Sequence, residues 1–366
     1  MGILMSEQTT NRPVSPQSRS GKRMYLDVLR AWSTVCVFVA HTALYYAEQE
    51  ATSTGFILSN LINALMRTAI PTFVMISGAL LLDEHYRYSD RKLKKMLTGR
   101  LLFFVLWSAC YTLCFAVVKP LLTGGTVSPY EVLDLFVNGF EHLWFIPMLI
   151  GLYLILPLLR LWVKQENKAY IKYFLILNLI FTVVLPFTIE KLQDLFPIFS
   201  CFEGLYKNLA LQYTAGYSGY FILGWYLNTF SIQNPKKWYI AGFCGMLVTF
   251  IGTQVFTMIQ GKPRNFYDCF AVNVVFHSIA LFLFVKNRLG DRIHDSSRFS
   301  KAVQFVCENS MGIYAIHPFV ILLSYKILGI GAPLLMVPLV SAIAFAVSVA
   351  GTRILRRIPI AKDYMV

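Results

Sequence analysis

The chain has 366 residues, of which 56% are hydrophobic, 15% aromatic and only 14% charged. This composition fits an ordinary soluble core poorly, so a lipid bilayer is the expected solvent. The formal net charge of +14 would suit nucleic-acid binding. However, no stripe of lysine and arginine lies on a soluble module that could follow a duplex, so no nucleic-acid partner is expected.

The first 24 residues are polar and basic, and no apolar run precedes Val28. They predict a disordered cytoplasmic tail and not a cleavable signal peptide. Ten later stretches are long enough to cross a hydrocarbon core of about 30 Å. They lie near residues 27–47, 61–82, 97–118, 142–162, 170–188, 213–230, 237–259, 268–286, 303–324 and 331–352. The expected fold is all-α, a polytopic bundle of about ten transmembrane helices over residues 25–355, followed by a cytoplasmic tail over 356–366.

The distribution of basic residues predicts the orientation of the bundle. With the N-terminus in the cytoplasm, 25 of the 33 lysines and arginines fall in cytoplasmic segments and 6 fall on the opposite face. Cytoplasmic loops of membrane proteins carry such an excess, so both termini are expected inside. The seven cysteines lie mostly in apolar runs without a C-x-x-C pair, which indicates small buried side chains and no metal site.

The first predicted helix carries three titratable or charged residues, Asp27, Arg30 and His41. At about 100° per residue they fall within an arc of about 60°, and Arg30 and His41 are separated by about 16 Å of helical rise. Charged groups inside a membrane span are costly, so they are candidates for function. The spacing suits a long substrate with an anionic head near Arg30 and a reactive end near His41. The alternative is a capping aspartate, a snorkelling arginine and a histidine bonded to a carbonyl.

Other spans contain further candidates. His142 and Trp144 lie at the outer start of the fourth span, where they could line a substrate site or belong to an interfacial aromatic belt. His317, before Pro318, and His277 could line the same cavity or bond to backbone. Arg67, expected at the outer entrance of the second span, could bind an anionic acceptor or snorkel to lipid headgroups.

A basic run, RKLKKMLTGR over residues 91–100, precedes the third span. Its Lys94, Lys95 and Arg100 could attract anionic lipid or hold the phosphates of a nucleotide. The chain contains no Walker loop, G-x-G-x-x-G, H-E-x-x-H or G-x-S-x-G element. Nucleotide hydrolysis, zinc chemistry and serine esterase chemistry therefore have no support from motifs.

Four motifs in order along the chain resemble acyltransferase family 3, a family of membrane O-acyltransferases. They are Arg30 and His41 separated by ten residues, R-x-x-x-P-x-F-x-x-x-S-G over residues 67–78, HLWF over 142–145 and SMGIYAIHPF over 310–319. The resemblance implies transfer of an acetyl or other short acyl group from cytoplasmic acyl-CoA to a glycan hydroxyl. It also implies that the pair Arg30 and His41 is essential.

The expected mechanism combines the resemblance with the residues above. His41 and Arg30, with Asp27 orienting Arg30, form the expected catalytic set, and His41 acts as general base. The phosphates of acetyl-CoA, the expected donor, are held by Arg30, Lys94, Lys95 and Arg100. The acceptor, a glycan or lipid-linked oligosaccharide, is expected near Arg67, His142, Trp144 and His317.

The expected location is the bacterial inner membrane, where membrane lipids surround the protein. The sequence leaves open whether the chain forms a homo-oligomer. A different class of function is a transporter or flippase of lipid-linked glycan, in which the same charges would line a path. A third is a structural subunit of an export complex, which would require Arg30 and His41 to serve packing alone.

Overall fold

A computed structural model describes residues 21–123, 125–193, 212–260, 266–289 and 297–366, together with Glu203, Tyr206 and Asn208. Within those residues the chain is helical and contains no β-strand. The principal helices are α1 Gly21–Ala43, α2 Thr54–Met66, α3 Ala69–Leu81, α4 Asp90–Thr123, α5 Pro129–Asn138, α6 Phe145–Trp162, α7 Lys168–Asn178, α8 Leu185–Gln193, α9 Gln212–Thr229, α10 Pro235–Gln260, α11 Val272–Leu289, α12 Arg298–Leu328, α13 Pro333–Leu355 and α14 Pro359–Tyr364. A π-helical segment, Leu179–Val184, joins α7 to α8.

The described residues form nine helical segments long and apolar enough to cross a membrane. They confirm an all-α polytopic membrane protein. The span expected at 213–230 corresponds to α9, which is not among the nine. Another of the nine, Thr54–Leu81, consists of α2 and α3 together, so one expected span is built from two helices.

Helix α1 is the central helix of the bundle and packs against α2, α3, α11, α12 and α13. It begins at Gly21, inside the segment expected to be a disordered tail, because Met24, Tyr25 and Leu26 are buried in the core and extend the packed part of the helix. The first 20 residues of that expected tail lie outside the described residues. The location of α1 places its polar side chains inside the bundle.

The expected second span, 61–82, is interrupted at Arg67 and Thr68. Pro71 is the cause, since it has no N–H to donate to the carbonyl of Arg67 four residues earlier and its ring would clash with that carbonyl. Helix α2 therefore ends with Arg67 as its C-cap, and α3 begins at Ala69 with Pro71 in its first turn, where proline is tolerated. As a consequence, Arg67 lies at a break within the 28-residue Thr54–Leu81 segment and not at the outer entrance of a span.

Helices α3 and α9 pack with their backbones almost in contact. A Cβ atom at Gly78 would lie 1.7 Å from the carbonyl oxygen of Phe221, and one at Gly224 would lie 2.0 Å from that of Met75. The two glycines allow this close helix packing, because no larger residue fits at the crossing.

Two of the basic residues expected at the cytoplasmic face cap helix ends. Arg160 donates to the carbonyls of Leu81, Asp83 and Tyr86 beyond the end of α3. Lys286 lies 3.1 Å from the carbonyl oxygen of Asn228 and also contacts the neighbouring carbonyls at the end of α9. Cations near helix C-termini satisfy free carbonyls and the helix dipole, so this part of the positive charge is structural.

The C-terminal residues expected to be a tail form the short helix α14, which packs against α4. The indole Nε1 of Trp107 donates to the carbonyl of Met365 over 3.0 Å. Ala361 is buried. The segment is thus docked on the bundle through an apolar contact and a hydrogen bond.

Candidate active site

Three histidines from distant parts of the chain meet inside the bundle. His41 Nδ1 lies 2.7 Å from His317 Nε2, and the two rings are nearly parallel, with centroids 5.0 Å apart and an interplanar angle of 10°. The ring of His142 meets that of His317 edge-on, with centroids 5.7 Å apart. His41 and His317, which were expected to line one cavity, are therefore in direct contact.

Each histidine is held by a different local element. His41 lies in the last turn of α1, and His317 lies in α12 just before Pro318. His142 lies in the turn that precedes α6, where the hydroxyl of Tyr314 donates to the backbone carbonyl of His142. This bond ties the turn to α12 and holds the His142 ring among aromatic neighbours.

Arg67 belongs to a polar cluster beside the histidines. Its Nη2 atom donates to Asn63 Oδ1 over 2.9 Å, and its guanidinium carbon lies 4.2 Å from the centroid of the Tyr267 ring. The Tyr267 hydroxyl donates in turn to Asn60. The two helices that meet at Arg67, α2 and α3, both pack against α1, which carries His41. The Arg67 guanidinium is thus held by neighbouring side chains within the bundle.

Several polar atoms around His41 lack a hydrogen bond to any other described residue. They are both ring nitrogens of His142 and the Nε of Arg67, which are shielded from solvent, and the Nε2 of His41, whose side chain is partly accessible. An unsatisfied buried polar group costs about 1–3 kcal/mol. The cluster therefore offers donors and acceptors that a polar substrate can satisfy.

Two arginines lie near the N-terminal half of α12. Arg30 pairs with Asp27 over 3.8 Å and its side chain is one-third exposed, and the backbone carbonyl of Asp27 accepts a hydrogen bond from the thiol of Cys307 in α12. Arg100 Nη1 lies 3.5 Å from the sulfur of Met311, one helical turn further along. Both arginines therefore lie near the N-terminal half of α12, on the side expected to face the cytoplasm, and the partner expected for Arg30 is in place.

Not every predicted residue reaches this region. Trp144 is 39% exposed and contacts Phe145 and Tyr217 instead of the histidines. His277 lies where α11 meets α10 at Gly242, which favours the packing interpretation. Lys94 and Lys95 are exposed residues of α4.

Sequence reasoning missed three residues that hold the site together. Asn63 could have been found, because it lies four residues before Arg67 on a helix and such residues face each other. Tyr267 and Tyr314 gave no local signal, since their contacts with Arg67 and His142 depend on tertiary packing.

The groups that this region offers for chemistry are imidazoles and guanidinium groups. Among the described residues, no group of three or more histidine, cysteine, aspartate or glutamate side chains could hold a metal ion. What the fold and the site define is a polytopic membrane protein with a buried histidine cluster and arginines on the helices around it.

Comparison with known families identifies the class. The model of acyltransferase family 3, described as an acyltransferase domain, matches residues 23–353. The chain therefore belongs to this family and is a multi-pass membrane acyltransferase. No curated protein and no solved structure matches it.

Proposed function

We propose that this protein is an O-acyltransferase that moves an acyl group, in the first instance acetyl, from cytoplasmic acetyl-CoA to a hydroxyl of a cell-surface glycan or its lipid-linked precursor. His41 serves as the general base. The observation that carries this proposal is the convergence of His41, His142 and Arg67 with unsatisfied polar atoms. Such a site suits a substrate with several hydroxyl groups, which both donate and accept hydrogen bonds.

The cytoplasmic side of the site supports an anionic donor. Arg30 lies about 16 Å of helical rise below His41 on the continuous helix α1. Arg100 contacts α12 at Met311, one turn from the Cys307 thiol that donates to the carbonyl of Asp27. Guanidinium groups bind phosphate in two-point contacts. In this arrangement the phosphates of CoA lie near Arg30 and Arg100, and the thioester extends to His41. The exposed Lys94 and Lys95 lie at the cytoplasmic entrance to the donor site.

The transfer itself requires one proton acceptor. The hydroxyl oxygen of the acceptor attacks the thioester carbon while its proton passes to His41 Nε2. The carbon–sulfur bond then breaks, and the proton returns to the sulfur to give free CoA. A positioned base of this kind contributes about 10²–10⁴-fold to the rate. Attack by His41 itself, to form an acyl-imidazole, is the other route that the geometry permits.

The acceptor is proposed to bind around Arg67 and His142. Within the family the sequence resembles the enterobacterial common antigen O-acetyltransferase, including the R-N-F segment at 264–266 and the F-V-K-N segment at 284–287. Arg264 and Asn265 lie outside the described residues. By this resemblance the acceptor is a bacterial surface polysaccharide and the membrane is the inner membrane.

The test follows free thiol released from acetyl-CoA by protein in nanodiscs, with and without a lipid-linked glycan fraction. His41→Ala should lower glycan-dependent release by at least about 10²-fold, and Arg30→Ala should raise the KM for acetyl-CoA. The matched control is His85→Ala, because the His85 side chain is 88% exposed in a loop. Glycan-dependent release that survives His41→Ala would refute His41 as the base. Folded wild type that releases no thiol with any acyl-CoA would instead favour a glycan transporter.

A further inference from the structure

The hydrogen bonds of His317 determine where its proton lies. Its Nδ1 atom is 2.9 Å from the carbonyl oxygen of Ile313, four residues earlier in α12. A carbonyl oxygen only accepts hydrogen bonds, so Nδ1 of His317 must carry the proton. In a neutral imidazole the other nitrogen is then an acceptor. The Nε2 atom of His317 therefore presents a lone pair.

That lone pair determines the tautomer of His41. The Nδ1 atom of His41 lies 2.7 Å from His317 Nε2, a distance at which one of the two nitrogens must donate. Because His317 Nε2 accepts, His41 Nδ1 is the donor. The proton of neutral His41 is then on Nδ1, and its Nε2 carries the lone pair that a general base needs.

A protonated His317 would reverse these roles, but its surroundings oppose it. The side chain is fully buried, its ring neighbours are His41, His142 and Tyr314, and none of the ion pairs in the described part of the chain reaches it. Burying a charge without a counter-charge is strongly unfavourable. His317 is therefore neutral in the resting protein.

We infer that His317 is a positioning residue, which fixes His41 in the Nδ1–H tautomer and aims its Nε2 at the acceptor hydroxyl. This inference rests on the proposed function. It assigns His317, which was expected to contact the acceptor, to the positioning of the base His41 instead. The logic is that of a Ser-His-Asp triad, in which the third residue selects the tautomer of the base. Here a neutral imidazole takes the place of the carboxylate, and its own tautomer is set by the Ile313 carbonyl.

The arrangement also supports the charge that forms during the reaction. When His41 Nε2 takes the proton of the hydroxyl, His41 becomes an imidazolium, and its bond to His317 becomes charge-assisted and stronger. No proton needs to move to His317, since the proton leaves from Nε2 to the thiolate of CoA. Loss of the corresponding orienting residue in a triad lowers kcat by about 10⁴-fold, so a loss of about 10²–10⁴-fold is expected here.

A matched pair of variants separates this role from packing. In His317→Asn the side-chain amide can still donate to the Ile313 carbonyl, but it is too short to accept from His41. In His317→Gln the longer side chain can present its oxygen near the former Nε2 position. We expect His317→Asn to lower kcat by at least about 10²-fold relative to wild type. The kcat of His317→Gln should be at least about 10-fold higher than that of His317→Asn, and the KM for acetyl-CoA should be similar in both variants. Equal kcat in both variants and wild type would overturn the inference.

A second measurement does not depend on activity. Nitrogen-15 NMR of histidine-labelled protein in nanodiscs, with the His41 signals assigned from His41→Gln, reports which ring nitrogen carries the proton. We expect the Nδ1–H tautomer in wild type and a shift toward Nε2–H in His317→Asn. An Nε2–H tautomer in wild type would overturn the inference even if acyl transfer is observed. The expected tautomers without any acyl transfer would support the contact and refute the proposed function alone.

Discussion

The crossing of α3 and α9 permits a quantitative prediction for Gly78→Ala. The added Cβ would lie 1.7 Å from the carbonyl oxygen of Phe221, about 1.3 Å short of the 3.0 Å that real Cβ contacts keep. The obstacle is backbone, which has no rotamer to change, so the helices must separate. Overpacking of this kind costs about 1–3 kcal/mol, occasionally more. Gly224→Ala, which would meet the Met75 carbonyl at 2.0 Å, should behave alike.

The same displacement should reach the active site, because α3 follows directly from Arg67. A misplacement of about 1 Å can cost about 10²-fold in rate. Thermal unfolding in detergent and glycan-dependent thiol release should therefore both be impaired. Gly151→Ala in α6 is the control, since its added Cβ meets nothing within 4 Å, and alanine should favour a helix by about 0.5–1 kcal/mol. A Gly78→Ala variant as stable and active as Gly151→Ala would refute the argument from close backbone approach.

Two further predictions concern charged groups. Arg67→Met removes a charge-assisted donor worth about 1.5–3 kcal/mol. The kcat/KM for the glycan should therefore fall about 10–150-fold, while the KM for acetyl-CoA stays unchanged. Equal losses for both substrates would argue against a role at the acceptor. At the start of α5, the Lys119 ammonium and the backbone N–H of Ser128 hold the pKa of Glu131 at about 2, below its ordinary value of 4.5. The carboxylate therefore stabilises α5 above about pH 4.5, and this contribution is lost as the pH falls toward 2. Hydrogen exchange over 128–138, corrected for intrinsic rates, should show that loss in wild type and a flatter profile in Glu131→Gln.

The sequence by itself determined the membrane class and most of the spans, because hydrophobic length and basic loops are local properties of the chain. It also singled out Arg30, His41, Arg67, His142 and His317, since polar groups within apolar runs stand out wherever they fold. The sequence also contained a signal for the helix break at Arg67. Pro71 four residues later could have signalled it, although the continuous apolar run indicated one span.

Tertiary structure alone decided which of these residues meet. His41 and His317 are 276 positions apart, and no periodicity relates the faces of α1 and α12. Packing also excluded Trp144 from the histidine cluster and brought in Tyr267 and Tyr314. The tautomer of His41 depends on an atom of His317 and, through it, on the Ile313 carbonyl. Such a property belongs to a hydrogen-bond network, and the network exists only after the helices have packed.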